Sequence, residues 1–404
     1  MRPPITDDLI RALPKTDLHL HLDGSLRLSS LVEMARERGV TLPSTTEEGL
    51  NELVFKERYA DLGEYLHGFA YTCAVLQDTE ALERASYELA WDNIDEGVRY
   101  IEVRFAPQLH MHPGTTFDEV LMAVDRGLAR ARAEHEASEA VLQRGEPPFR
   151  YGIIVCAMRK FTAGFSTWYA QLCGVLQHAP SRQVYSMASL ELARAAIHCR
   201  DSLGLPIVGF DLAGQEDGYP GHDHLATYQL CARSFLMRTV HAGEAYGPES
   251  IFDAIAHLQA ERIGHGYHLF SPGLCGPDVA DPQGYVDDLA EYIADRRITI
   301  EVCITSNLQT NPAIGSVENH AFRQMLERKL SATICTDNRL VSHTTVSQEL
   351  RLAVDAFAMS PGSLRQTLIH GFKRSFFPGS YLEKRAYVRQ IIDYTDRVMA
   401  AHTG

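Results

Sequence analysis

The chain has 404 residues, 45% hydrophobic and 22% charged, with a formal net charge of -14 at neutral pH. This is the composition of a globular protein with a large core, and its acidity excludes a partner gripped by its phosphate backbone, so no nucleic acid is expected. No run approaches the ~18 apolar residues of a membrane span, and the N-terminal MRPPITDDLIRALPK is acidic where a signal peptide would be apolar, so no membrane partner and a cytoplasmic location are expected.

Short apolar runs alternate with longer amphipathic segments along the chain. Strands are predicted at 16–22, 100–106, 151–157, 206–211, 238–241, 262–265, 298–303 and 332–336, with helical patterns between them such as 80–95 and 187–203. Eight strand–helix repeats predict a (β/α)8 TIM barrel, with a doubly wound open sheet as the alternative. All 404 residues are expected to form one domain.

The first strand carries His19 and His21 in DLHLHLDG. Residues i and i+2 of a strand share a face, so both imidazoles project together. Such a pair in an apolar wall leaves ring nitrogens without partners, and a divalent metal satisfies both. The bland alternative is a surface or hydrogen-bonded pair.

The gap after the first strand is too long for one helix. Extra helices are expected over residues 26–98, where Leu62, Tyr65 and Phe69 form one apolar stripe at helical spacing. The stripe either packs onto the barrel or makes a lid over a flat substrate. A second insertion, 129–148, reads as a solvated helix end plus loop, and 271–284 reads as a loop by its Pro and Gly content. The second H-x-H pair, His110 and His112, falls in a Pro/Gly turn and is not expected to bind metal. The eight cysteines include no C-x-x-C pair, and Cys156, Cys303 and Cys335 are expected as buried thiols.

Polar residues gather at the C-terminal ends of the predicted strands, the rim on which barrel active sites are built. His241-Ala242-Gly243-Glu244 follows the fifth strand, His265-Gly266-Tyr267-His268 the sixth, and Asp337-Asn338 the eighth. Three histidines and one carboxylate converging from such distant positions, with a water, would make a catalytic zinc site. There is no H-E-x-x-H, no H-x-E with P-C-x-x-C, and no G-x-S-x-G elbow.

The blocks PKTDLHLHLDGSL, EVRFAPQLH, GFDLAGQE, TVHAGE, RIGHGYHL, EVCITSN and CTDN stand in the order seen in adenosine deaminases. From about residue 14 to residue 338 the chain resembles that family of metal-dependent amidohydrolases. The resemblance implies zinc-dependent hydrolytic deamination of adenosine and 2′-deoxyadenosine, with one zinc ion per chain held by His19, His21, His241 and Asp337. It implies that His265 orients the attacking water and handles its proton, and that Glu244 protonates N1 of the purine. It further implies a purine nucleoside as partner: the Gly214 N–H meeting N3, Asp23 binding the ribose 5′-hydroxyl, and Leu62, Tyr65 and Phe69 forming an apolar lid. Asp211 is left as structural. Binuclear relatives place a modified lysine after the fourth strand, where this chain has Asp211-Leu212-Ala213-Gly214, so one metal is expected.

One departure stands out. Many members have two consecutive aspartates and a proline where this chain has Asp337-Asn338-Arg339. The resemblance implies that the second position faces N7, an acceptor, where the Asn338 amide donates without titrating. Deamination of adenine or aminofutalosine is the alternative within the class, although Asp23 in HLDG favours a nucleoside. A non-catalytic nucleoside-binding relative is the alternative outside it.

Overall fold

The computed structural model describes residues 5–403. Its centre is a ring of eight parallel strands in sequential order: β1 (Lys15–His21), β2 (Val98–Phe105), β3 (Arg150–Met158), β4 (Ile207–Ala213), β5 (Met237–Ala242), β6 (Arg262–His265), β7 (Thr299–Val302) and β8 (Ser331–Ile334). Every predicted strand is present, within two residues at each end. Sequential order excludes the doubly wound sheet, in which the order reverses at a switch point. Main-chain bonds from Asp337 draw β8 back to β1: its N–H donates to the His19 carbonyl at 2.8 Å, and its carbonyl accepts from the His21 N–H at 2.8 Å. Among the laddered strand pairs the shortest register lies between β4 and β5, paired through Gly209–Met237 and Phe210–Arg238.

Strands β1 and β2 are buried along their whole length. This is the consequence of a parallel barrel sheathed by helices, with apolar residues facing outwards and a filled interior. The helix predicted at 187–203 begins earlier, at Ser181, directly after Pro180. Its first three residues are exposed, so they carry no apolar signal. Within the 271–284 loop the chain makes a short turn at Pro272–Leu274, and the next helix starts at Pro282, capped by the Asp281 side chain on the Gly284 N–H.

Five helices fill the gap between β1 and β2: Leu28–Arg38, Glu47–Leu53, Leu62–Leu66, Phe69–Val75 and Thr79–Asp95. The third and fourth carry the predicted apolar stripe. His67 and Gly68 between them keep right-handed helical backbone angles, so the stripe runs on across the break. Among the described residues no helix is long and apolar enough to cross a membrane.

Candidate active site

Two of the strand-end histidines have their rear nitrogen tied to a carboxylate. His19 on β1 sends Nδ1 to Glu301 Oε2 on β7 at 2.9 Å. His241 on β5 sends Nδ1 to the Asp211 carboxylate on β4, 3.0 Å from Oδ2. Glu301 and Asp211 are in turn bridged by Arg104 of β2, which lies 2.9 Å from each carboxylate. Arg262 of β6 donates Nε to Glu301 Oε1 at 2.6 Å and pairs with Glu102. Arg104 and Arg262 hold Glu301 well below the usual carboxylate range despite full burial, and His241 together with Arg104 does the same for Asp211. Ionised carboxylates can only accept, so both imidazoles carry hydrogen on Nδ1, which frees Nε2 to offer a lone pair to a metal at the barrel mouth.

Those nitrogens meet at one point. His19 Nε2 lies 3.3 Å from Asp337 Oδ1, and His21 Nε2 lies 3.4 Å from the same oxygen and 3.2 Å from His241 Nε2. His19, His241, His265 and Asp337 each offer a ligand atom within 4.8 Å of the others. His19 Nε2 is buried with no hydrogen-bond partner. Lone pairs aimed at each other around a carboxylate repel unless a cation lies between them, so the donor set fits a divalent ion suited to nitrogen and oxygen ligands. Asp337 Oδ2 is turned away and accepts from Ser306 Oγ at 2.7 Å. Asp337 and His265 both have φ near +62°, a left-handed conformation that side chains rarely adopt, so the barrel rim holds both under backbone strain.

Above the cluster opens a cavity of about 780 Å³, bordered by every sequence-predicted site residue except His19, which lies beneath its floor. Glu244 Oε1 stands 3.7 Å from His265 Nε2. Burial pushes the Glu244 carboxyl up to about 8, with the nearby charges of Asp337 and Glu216 adding to the rise, so it holds its proton at neutral pH. The loop bearing Glu244 has no regular structure and is moulded on Glu216, whose carboxylate accepts from the backbone N–H groups of Gly243, Glu244, Ala245 and Tyr246 at 2.8 to 3.1 Å, and from Ser250 Oγ. Gly214 has φ +91°, and a Cβ there would come within 3.2 Å of Met158 Cε, which accounts for the glycine without any ligand.

At the opposite wall Asp23 is buried with Oδ1 unpartnered, and burial pushes its carboxyl up to about 7. It shares a small cluster with Cys73 and His110, within 4.8 Å of one another. The His110–His112 pair ties its turn to the inserted helices: His110 Nδ1 bonds the Leu76 carbonyl at 2.9 Å, and His112 Nε2 the Gln77 carbonyl at 2.7 Å. Tyr65 does more than the apolar wall expected of it. Its ring is buried, while its hydroxyl bonds Ser342 Oγ at 2.8 Å and lies 3.5 Å from Asp337 Oδ2. The Asn338 amide donates to that same hydroxyl at 2.8 Å and packs on Gly24, where a Cβ would fall 1.8 Å from Asn338 Oδ1. Arg339 donates its main-chain N–H to Ser25 Oγ at 3.0 Å, a bond proline could not make, and its guanidinium pairs with Glu96 at 2.6 Å.

Sequence reasoning passed over Glu301, Arg104 and Glu216, and left Asp211 as structural. One signal was present: Arg104 in YIEVRFA and Glu301 in ITIEVCI are charges inside otherwise apolar strands, where burial demands a partner.

A barrel with nitrogen and carboxylate donors at its C-terminal rim and a protonated acid beside them defines a class, the amidohydrolase-type hydrolases. The Adenosine deaminase family model matches residues 14–178 and 178–394. An adenosine deaminase from Mycobacterium marinum is 35% identical over 373 residues, covering 92% of both chains. The crystal structure of an adenine deaminase from Arthrobacter aurescens superposes with a TM-score of 0.73 at 21% identity, covering 95% of this chain and 99% of that one. An amidohydrolase from Burkhoderia ambifaria with bound Zn gives 0.75 at 17% identity, over 98% of this chain and 94% of that one. The chain belongs to the adenosine deaminase family and is a hydrolytic deaminase acting on a C–N bond.

Proposed function

We propose that this deaminase converts adenosine and 2′-deoxyadenosine to inosine and 2′-deoxyinosine with release of ammonia, using one zinc ion held by His19, His21, His241 and Asp337. The observation that carries this reading is the convergence of His19 and His21 Nε2 on Asp337 Oδ1, with His241 Nε2 3.2 Å from His21 Nε2, beside a Glu244 carboxyl pushed up to about 8. The chain works as one cytoplasmic barrel domain, and the helices inserted over residues 26–98 serve as its lid.

Zinc bound there supplies the Lewis acidity that makes water nucleophilic near neutral pH. The protein's own groups do the rest. Glu244 gives its proton to N1 as C6 is attacked, so charge does not build up on the ring. The Gly214 N–H points to N3, and the second N–H of the Asn338 amide, beyond the one given to Tyr65, serves N7. Asp23, whose carboxyl burial pushes up to about 7, bonds the ribose 5′-hydroxyl. Leu62, Tyr65 and Phe69 cover the flat face of the purine and exclude bulk water.

Purified zinc-loaded protein is given adenosine, 2′-deoxyadenosine, adenine and aminofutalosine, following absorbance at the adenine maximum and ammonia release. Turnover of the two nucleosides is expected, lost on chelation and restored by zinc. Turnover confined to adenine or aminofutalosine overturns the substrate. Binding of adenosine without turnover of any purine, in fully loaded protein, points to a non-catalytic relative.

A further inference from the structure

His265 differs from the other strand-end histidines in what stands behind it. His19 and His241 lean on carboxylates, whereas His265 Nδ1 lies 3.1 Å from Nδ2 of Asn307. Asn307 Oδ1 lies 3.1 Å from Nε2 of His320, and His320 Nδ1 lies 3.1 Å from the main-chain N of Phe322. His265, Asn307 and His320 are each 1% exposed, so the links lie out of reach of bulk water.

The direction of this chain of bonds is set at its far end. A backbone N–H only donates, so His320 Nδ1 must accept and its hydrogen sits on Nε2. Burial keeps His320 neutral, pushing its pKa down to about 3. The Nε2–H therefore donates to Asn307 Oδ1, which turns the Asn307 NH2 towards His265. Reversing the amide would set its NH2 against the His320 Nε2–H, donor facing donor. The amide donates to His265 Nδ1, so the His265 hydrogen lies on Nε2, aimed into the site. That nitrogen has no hydrogen-bond partner in the protein.

We propose that Asn307 and His320 are positioning residues that hold His265 as the Nε2–H tautomer, so that His265 serves the site as a hydrogen-bond donor and neither as a metal ligand nor as a base. Resting on the deaminase reading, the acceptor is the oxygen that attacks C6. A donor there orients that oxygen's lone pair towards the ring and takes no proton from it, which replaces the proton-handling role the family resemblance implies. The proposal also separates the donor set: His19, His21 and His241 ligate, while His265, within 4.8 Å of the donors of His19, His241 and Asp337, carries hydrogen where a ligand needs a lone pair.

The test is made on zinc-loaded protein with isotopically labelled histidine nitrogen and no substrate, using long-range proton–nitrogen correlation spectra. The His265 resonances are identified by their loss in His265→Gln. A protonated, pyrrole-type Nε2 and a pyridine-type Nδ1 are expected, and the reverse pattern overturns the proposal. Asn307→Asp replaces the donor with a group that only accepts, which moves the hydrogen to Nδ1. The spectrum should invert, and kcat should fall by roughly 10²-fold or more with KM little changed, the scale of loss when an orienting partner enforces the wrong tautomer. An Asn307→Asp protein with the parent's spectrum and kcat overturns the proposal. The parent spectrum decides the tautomer without any variant, so a folding failure of Asn307→Asp leaves the test intact. It is read without substrate, so its outcome is separate from that of the purine panel.

Discussion

The floor and the roof of the cavity are secured by opposite means. On the floor, His19 and His241 are pinned from behind by Glu301 and Asp211, which Arg104 locks together. The roof is made by two short helices, Leu62–Leu66 and Phe69–Val75, whose contribution is mainly apolar surface, with Tyr65 alone reaching down to Asp337. A floor residue cannot shift without breaking several buried, charged bonds, while a roof residue can be exchanged at the cost of contact area. On the proposed function, this ties reaction type to the barrel and substrate preference to the roof.

If that division holds, the largest effect comes from the acid between the two regions. Glu244→Gln should lower kcat roughly 10²- to 10⁴-fold, the span of general acid catalysis, with metal content and nucleoside affinity kept. Because Glu244 works in its protonated form, the parent's rate should fall as pH rises through the Glu244 pKa, about 8 from burial, and the ion's positive charge draws that limb lower. A pH–rate profile whose alkaline limb survives unchanged in Glu244→Gln breaks the assignment.

The next effect isolates the mould beneath that acid. Glu216→Gln removes half of a carboxylate that four consecutive N–H groups share. It should lower kcat by about tenfold to 10³-fold, at or below the loss from Glu244→Gln itself, and should add little in a Glu244→Gln background, since residues acting as a unit are non-additive. Equal penalties in both backgrounds would make Glu216 a general structural residue instead.

A further step behind the floor, Glu301→Gln should weaken zinc binding by about 10- to 100-fold, the usual cost of removing a ligand's supporting carboxylate. Competition with a chromogenic chelator measures it, and unchanged affinity would mean that the floor is not pinned as described. The mildest effect belongs to the roof: Phe69→Ala should raise KM about tenfold with kcat kept, consistent with ~1.5 kcal/mol of lost apolar contact. A large fall in kcat there would erase the distinction between the two regions.

Much of the barrel was legible because each of its signals is local. Strand runs such as YGIIVCA need only neighbouring residues, and the alternation His19-Leu20-His21 reports its own face. The proposed metal donors could be grouped from sequence because strand ends share one rim. What stayed hidden is pairing across the barrel: His19 and Glu301 are 282 residues apart, and only ring closure brings them together. His320 is harder still. It sits beyond a loop, and its connection to His265 runs through Asn307, so no spacing in the chain announces it. The hydroxyl of Tyr65 was missed because helical periodicity treats a tyrosine as surface and says nothing of where its oxygen ends.

Asp337 stitches β8 to β1 through its main chain and faces the cavity with its side chain. The two duties use different atoms, so a substitution that ends turnover need not open the ring. Asparagine, which tolerates the same φ near +62°, is the natural candidate. A silenced copy of this enzyme could then persist as an intact receptor for its purine, and gene duplication could turn a catalyst into a sensor without rebuilding the scaffold.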